Sequence, residues 1–346
     1  MPGTNRVAVY RSNSDIRVEH RPMPEIGPGE ALVRVRASGI CGSDVMEWYR
    51  MPKAPLVLGH EPAGDVVATG EGVEHLRVGQ RVVVSHHVPC NTCRHCLAGF
   101  HTACETLHST NVDPGGFAQY VRVPALQTER GVLALPGSIT YEEGSFVEPL
   151  GCVVRAQVRA GVRLGSTVLV VGSGISGLLH VRLAAALGAG RVLATDVSTY
   201  RLDWARRSGA VAAFDATEAG GRLPELIREA NEGCLADLVV LATSAPAAIS
   251  QALACLEPGA TFVFFAPPPP AAPLDIPMHE LWRREVTVRT AYGAAPSDLA
   301  AALDLIASRR VRVDDLVTHR LPLDDIAEGF RLVAEARESV KVIVEP

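Results

Sequence analysis

Residues 168–196 read VLVVGSGISGLLHVRLAAALGAGRVLATD, and the order of the parts in this stretch decides the fold. Val168 to Val171 is an unbroken apolar run, as expected of a parallel strand covered on both faces. It leads into Gly172-Ser173-Gly174-Ile175-Ser176-Gly177, after which Leu178, Val181, Leu183, Ala184 and Leu187 fall at helical spacing. Gly188 and Gly190 then turn the chain into a second strand, RVLAT, which ends on Asp196. Gly172 permits a tight turn, Gly174 lets the backbone approach a pyrophosphate, and Gly177 lets the helix pack closely on the strand. The helix start at Ile175 and Ser176 faces the phosphate charge. Asp196, about 20 residues on, is placed to accept hydrogen bonds from an adenosine ribose 2′-OH. Its carboxylate would repel a 2′-phosphate, so the expected cofactor is NAD rather than NADP. Arg201 follows it and either reaches toward such a phosphate or flanks the adenine. An ordinary glycine-rich turn does not require a strand, helix, strand and terminal acid in this order.

The same rhythm continues downstream. AVAAFDA, LADLVVLATSA, GATFVFFAP and EVTVRTAYG read as strands, separated by helices such as residues 221–232 and 247–256. Such alternation makes a doubly wound parallel sheet. Pro267 to Pro270 reads as a stiff loop. From about Ala294 the pattern changes to one helix, residues 297–309, and a strand-helix-strand tail, which we assign back to the N-terminal domain. That domain opens with short strands broken by Pro and Gly: VAVY, IRVEHRPMPEIGPGE and the cleanly alternating ALVRVRA. A strand near residues 80–84 and another over residues 115–125 complete an antiparallel, barrel-like pattern.

A chain of 346 residues is long enough for two domains with large cores. Its 47% hydrophobic and 5% aromatic content fits aliphatic packing, and lysine occurs only at Lys53 and Lys341. A net charge of −5 argues against a nucleic-acid partner, which would normally meet a basic face. No apolar run reaches the length of a membrane span, and MPGTNRVAVYRS lacks the apolar segment of a signal peptide, so neither a membrane partner nor export is expected. The expected location is cytoplasmic.

There the eight cysteines serve as ligands or buried thiols rather than disulfides. Cys90, Cys93, Cys96 and Cys104 cluster in PCNTCRHCLAGFHTAC, a spacing that suits four thiolates on one Zn²⁺ tying down a lobe near residues 86–106. Iron–sulfur ferredoxins share the opening of this pattern, but their last cysteine comes sooner and precedes proline, whereas Cys104 precedes Glu105. Cys41 stands apart, in Gly39-Ile40-Cys41-Gly42-Ser43-Asp44, with His60 and Glu61 in the next glycine-rich turn. Glu148 ends an apolar, helix-like segment, where Pro149 is expected to fix a bend. Singly, each of these residues reads as structural, a core thiol, a satisfied histidine or a solvated glutamate; their combination changes the odds.

GICGSD, GHEPAG, the cysteine quartet, GGFAQYV, EPLGC and GSGISG, in this order over nearly the whole chain, resemble the zinc-dependent medium-chain dehydrogenases, most closely their sorbitol (polyol) dehydrogenase branch. The resemblance implies an α/β protein: a GroES-like, mostly-β catalytic domain over residues 1–152 and 293–346, and a Rossmann NAD-binding domain over residues 153–292. It implies a catalytic zinc held by Cys41 and His60, with Glu148 as a further ligand and Glu61 ligating the metal or steering its water. It makes the quartet zinc structural. Alcohol dehydrogenases proper carry Cys in the place of Glu148, and the carboxylate points to the polyol-like branch. Ser43 then relays the substrate proton, but many relatives end the relay on a His where this chain has Met46. Ser43 alone, bulk water or the cofactor ribose are the remaining exits.

The implied activity is NAD-dependent oxidation of a secondary alcohol on a polyol, cyclitol, sugar or amino sugar. Action on a simple alcohol or threonine is the alternative within the class, and a non-catalytic dinucleotide-binding relative the alternative outside it. Trp48, Tyr49, Arg50 and Asn111 are candidate pocket residues. Relatives form homodimers or homotetramers, and EVTVRTAYG is the segment suspected of pairing.

Overall fold

In the N-terminal segment, β1 (Thr4–Ser12) and β2 (Asp15–Pro22) pair as an antiparallel hairpin. β3 (Ala31–Gly39) buries Val33 and Val35 and leaves Arg34 and Arg36 exposed, the alternation read in ALVRVRA. It is followed by β4 (Leu56–Val57), β5 (Pro62–Thr69), β6 (Arg81–Val84), β7 (Tyr120–Val123) and β8 (Val132–Ala134). This is a computed structural model describing residues 3–346, and these strands belong to a unit that runs to Gly151 and resumes at Gly293–Pro346.

The second unit, Cys152–Tyr292, holds the parallel strands β9 (Thr167–Val171), β10 (Arg191–Asp196), β11 (Ala212–Asp215), β12 (Ala236–Leu241), β13 (Leu256–Phe264) and β14 (Thr287–Thr290). Their spatial order is β11-β10-β9-β12-β13-β14. The chain therefore builds outward from β9 in one direction and then in the other, the doubly wound arrangement of a Rossmann sheet. All five residues of β9 are buried, which is why the run TVLVV carries no alternation.

The tail returns to the first unit as β15 (Val317–Pro322), the helix Ile326–Glu335 and β16 (Lys341–Glu345). There the order β15-β16-β3-β5-β6-β8 forms one sheet, with β7 also on β3, while β2-β1-β4 forms another. Pairing is antiparallel except between β15 and β16. Val7, Tyr10, Val33, Val66, Val82, Phe117, Phe330 and Val342 share its core, so the returning tail completes the first domain's packing.

Two local expectations change. The strand expected over residues 115–125 is confined to β7, because residues 125–130 turn into a short helix and Ala118 makes only an isolated bridge to Val7. Pro149 does not bend the chain after a helix. It sits in the first turn of the helix Val147–Ala160, where a missing N–H costs nothing, so Glu148 starts that helix rather than ending one. Among the described residues no helix is long and apolar enough to cross a membrane.

Candidate active site and metal centres

β3 ends at Gly39 and the chain turns through Cys41 to Asp44, closed by the Asp44 N–H on the Cys41 carbonyl at 3.0 Å. His60 and Glu61 lie just before β5, beside the end of β3, because Ser38 pairs with Pro62 across the sheet. One ligand atom from each of Cys41, His60 and Glu61 falls within 4.8 Å of the other two. Glu61 is 1% exposed, and its Oε1 has no hydrogen-bond partner while Oε2 pairs with the fully buried Lys341. A buried carboxylate oxygen without a partner is costly. Beside a thiol and an imidazole it fits a divalent cation of zinc's chemistry.

Lys341 comes from β16 and also donates to the Ile40 carbonyl at 3.3 Å. Gly39 makes room for the pair: a Cβ there would lie 1.9 Å from Glu61 Oε2. Asp44, 0% exposed, links the remaining parts. Its Oδ2 accepts from the Cys41 N–H at 3.0 Å, and its Oδ1 lies 3.3 Å from His60 Nδ1. A carboxylate on one ring nitrogen orients the other toward a metal. Burial opposes ionisation of Asp44, yet the charges of His60 and Arg50 and the Cys41 N–H hold its pKa below the usual value. Burial likewise disfavours the charged form of His60, but Asp44 and then Cys41 outweigh it and raise that pKa well above the histidine range. The surroundings of His60 thus favour positive charge.

Ser43 lies in the same turn, its Oγ accepting from Arg50 at 3.0 Å. Met46 precedes the short helix Glu47–Arg50. Trp48 and Tyr49 stack obliquely with ring centres 5.7 Å apart, while Asn111 is exposed with its side-chain oxygen accepting from the Val112 N–H. The ring of His86 lies 5.0 Å from that of His60. Burial, with the neighbouring positive charges of His87, His60 and Arg50, keeps its pKa well below the usual value. Glu148 is 8% exposed and is not one of the three residues whose ligand atoms converge.

The four quartet sulfurs also converge. Cys93 and Cys96 Sγ are 3.5 Å apart, Cys90 and Cys104 3.6 Å, and Cys90 and Cys96 4.0 Å. Tetrahedral zinc with about 2.3 Å bonds sets its sulfurs about 3.8 Å apart. The lobe's own core is Cys96, Cys104 and Leu107, with Cys90 and Cys93 packed against it, so little besides a metal holds it. Hydrogen bonds from Thr92 and then from the Cys93 N–H bring the Cys90 thiol down to about 5, whereas burial pushes Cys96 up to about 12. Arg130 donates to the Cys90 carbonyl at 2.7 Å and ties the lobe to the sheet domain.

In the second unit, Gly172 adopts φ +95°, and a Cβ on Gly177 would lie 1.9 Å from the Gly172 carbonyl oxygen. At Gly174 a Cβ would meet only the Arg201 guanidinium, at 3.8 Å, which leaves space over the start of the helix Ile175–Ala186. Asp196, at the end of β10, accepts from the Ser173 N–H at 2.7 Å and the Ser198 N–H at 3.0 Å. These bonds fix the carboxylate over the glycine turn. Buried Nε of Arg201 has no partner. The cradle fits a dinucleotide.

Asp44 and Lys341 escaped the sequence reading as site residues, and Arg50 entered it only as a pocket candidate. Asp44 was visible inside GICGSD, but its partner His60 is remote in sequence. Lys341 lies 280 positions from Glu61, and its only signal was being one of two lysines in an arginine-rich chain.

Comparison with known proteins agrees with this architecture. Residues 27–136 match the alcohol dehydrogenase GroES-like domain, and residues 176–308 match the zinc-binding dehydrogenase family. The chain is 35% identical to sorbitol dehydrogenase of Gallus gallus over 99% of its own length and 97% of that protein's. It is 33% identical to a protein described as probable D-xylulose reductase A of Aspergillus clavatus, over 95% and 93% of the two lengths. Among solved structures, a zinc-binding dehydrogenase from Sinorhizobium meliloti bound to NADP superposes with a TM-score of 0.88 at 28% identity, covering 99% of this chain and 100% of that one. With both family regions matched and such identity over nearly its full length, the chain belongs to the zinc-dependent medium-chain dehydrogenases, in their polyol dehydrogenase branch.

Proposed function

We propose that this protein oxidises a secondary alcohol of a polyhydroxylated substrate, whether polyol, cyclitol, sugar or amino sugar, to a ketone with NAD. The observation that carries the reading is the set of Cys41, His60 and Glu61, with a buried carboxylate oxygen left for a cation. When bound, zinc would supply a Lewis acid for the substrate oxygen, and the nicotinamide would supply the hydride acceptor.

The residues around them do the rest. Cys41, His60 and Glu61 hold the ion through a thiolate, a ring nitrogen and a carboxylate oxygen, with Glu148 as the further carboxylate that the family resemblance names. Asp44 engages His60 Nδ1 and leaves Nε2 for the ion. Lys341 offsets the charge of Glu61 and fixes which of its oxygens stays available. Ser43 receives the proton of the substrate hydroxyl. Gly172, Gly174, Ile175, Ser176 and Gly177 seat the pyrophosphate, and Asp196 and Arg201 take the adenosine end. The Asp196 charge supports NAD over NADP. The second zinc, on Cys90, Cys93, Cys96 and Cys104, is structural. We further propose a homodimer or homotetramer paired through β14, whose four residues are exposed and which, among the described residues, pairs with β13 alone.

A substrate panel tests the reading. Polyols, cyclitols, amino sugars, simple alcohols and threonine are offered with NAD and with NADP, and cofactor reduction is followed. Turnover confined to polyhydroxylated members, with NAD preferred, is the expected result. Preference for simple alcohols or threonine would replace this substrate class, and preference for NADP would overturn the role of Asp196.

A further inference from the structure

Arg50, a candidate pocket residue in the sequence, ends the short helix Glu47–Arg50 and makes a wider set of contacts there. Its Nε donates to the Ser43 carbonyl at 2.9 Å. One terminal nitrogen donates to Ser43 Oγ at 3.0 Å and to Asp44 Oδ1 at 3.3 Å. The side chain is 13% exposed, and the guanidinium carbon lies 4.6 Å from the centre of the Tyr49 ring. Through Asp44 it also reaches the backbone of Cys41 and the ring of His60. A single planar cation therefore grips both the hydroxyl that meets the substrate proton and the carboxylate that orients a metal-binding histidine.

We infer that Arg50 is the positioning residue that sets the Ser43 hydroxyl for its proton step and leaves water as the outlet. The inference rests on the proposed function, in which Ser43 receives the substrate proton. A serine hydroxyl has one hydrogen and two lone pairs. Arginine only donates and stays charged at every working pH, so its bond to Oγ occupies one lone pair throughout. The other lone pair is the one left to receive the substrate proton. As the substrate O–H bond breaks and a new O–H bond forms at Ser43, the original Ser43 proton passes to water, and the proton count balances. Neither Arg50 nor the Met46 thioether can take that proton. The fixed charge of Arg50 also favours negative charge on an oxygen hydrogen-bonded to Ser43.

The test compares wild type with Arg50→Gln, Arg50→Lys, Ser43→Ala and the Ser43→Ala/Arg50→Gln double variant, all as metal-loaded enzyme. Its equilibrium arm measures the affinity for trifluoroethanol, an alcohol resistant to oxidation, in the presence of NAD. Its kinetic arm uses the polyol turned over fastest by wild type, in light and heavy water. Arg50→Gln should retain both metals and its NAD affinity, yet bind trifluoroethanol about tenfold more weakly, the worth of one charge-assisted hydrogen bond. Its kcat should fall about a hundredfold, with KM changed far less and the solvent isotope effect enlarged. Arg50→Lys should recover part of both losses. In the Ser43→Ala background, Arg50→Gln should add almost nothing.

Additive losses in the double variant, loss of the catalytic metal from Arg50→Gln, or wild type binding trifluoroethanol no better than Arg50→Gln would each overturn the inference. Failure of wild type to oxidise any polyol counts against the proposed function instead, and the trifluoroethanol arm then decides the role of Arg50 alone.

Discussion

Asp44 is the residue on which the proposed catalytic centre turns. It is fully buried, and its two oxygens are shared among the Cys41 N–H, His60 and Arg50. Asp44→Asn keeps the shape but removes the negative charge and turns one acceptor into a donor, so either the Cys41 N–H or the His60–Arg50 side loses its partner and His60 loses the carboxylate beside it. Affinity for the catalytic metal should fall about 10- to 100-fold, as when other ligand-orienting carboxylates are lost. Competition against a chromogenic chelator measures this, and the quartet metal serves as the internal control. An unchanged affinity would mean that His60 is oriented by something other than Asp44. At this scale the chain was legible where chemistry is local in sequence: the cysteine quartet and the glycine turn declare themselves by spacing. The Glu61–Lys341 and Ser43–Arg50 pairs are made by tertiary folding, and residue type alone did not reveal them.

Among elements, the turn from β9 into the helix Ile175–Ala186 has the least tolerance. Gly177 packs against the Gly172 carbonyl so closely that any Cβ must displace backbone. Gly177→Ala should destabilise the protein by about 1–3 kcal/mol through overpacking, and should weaken NADH binding. Urea unfolding and NADH fluorescence titration measure the two effects, and full retention of both would refute the close-packing role. Most elements of the second unit were legible because short unbroken apolar runs alternate there with longer segments set off by Gly and polar residues. Glu148 was misplaced because Pro149 signals a boundary without saying on which side the helix lies. The strand near Gly115 was overextended because apolar residues in a loop and in a short strand look alike.

For the whole molecule, the two-unit architecture with an interrupted first domain was legible from the change of pattern near Ala294, since βα alternation stops there and the closing strand must find an open sheet. The β15–β16 parallel pair within that largely antiparallel sheet was not, because strand direction is set by tertiary connection. Stability should depend on pH through His180, which is 0% exposed and pushed down by burial to about 3. The unfolded chain then binds the proton that the folded one refuses between the ordinary histidine pKa and about 3, so stability falls as pH drops through that window. From pH 7 to pH 5 the loss is about 2 kcal/mol from this group. His180→Gln should flatten that part of the stability curve, whatever its own cost, and an equal slope in the variant would reject His180 as the source.

The measurement closest to the central claim is zinc dependence of alcohol oxidation in the intact protein. Metal is withdrawn with a chelator until the ion proposed at Cys41, His60 and Glu61 is gone while the one proposed at the quartet remains, and turnover of the best polyol with NAD is followed before withdrawal, after it, and after Zn²⁺ is returned. The expected result is activity that disappears with that one ion and comes back with it. Undiminished turnover with the ion gone would contradict the assignment of the three residues as the catalytic metal centre.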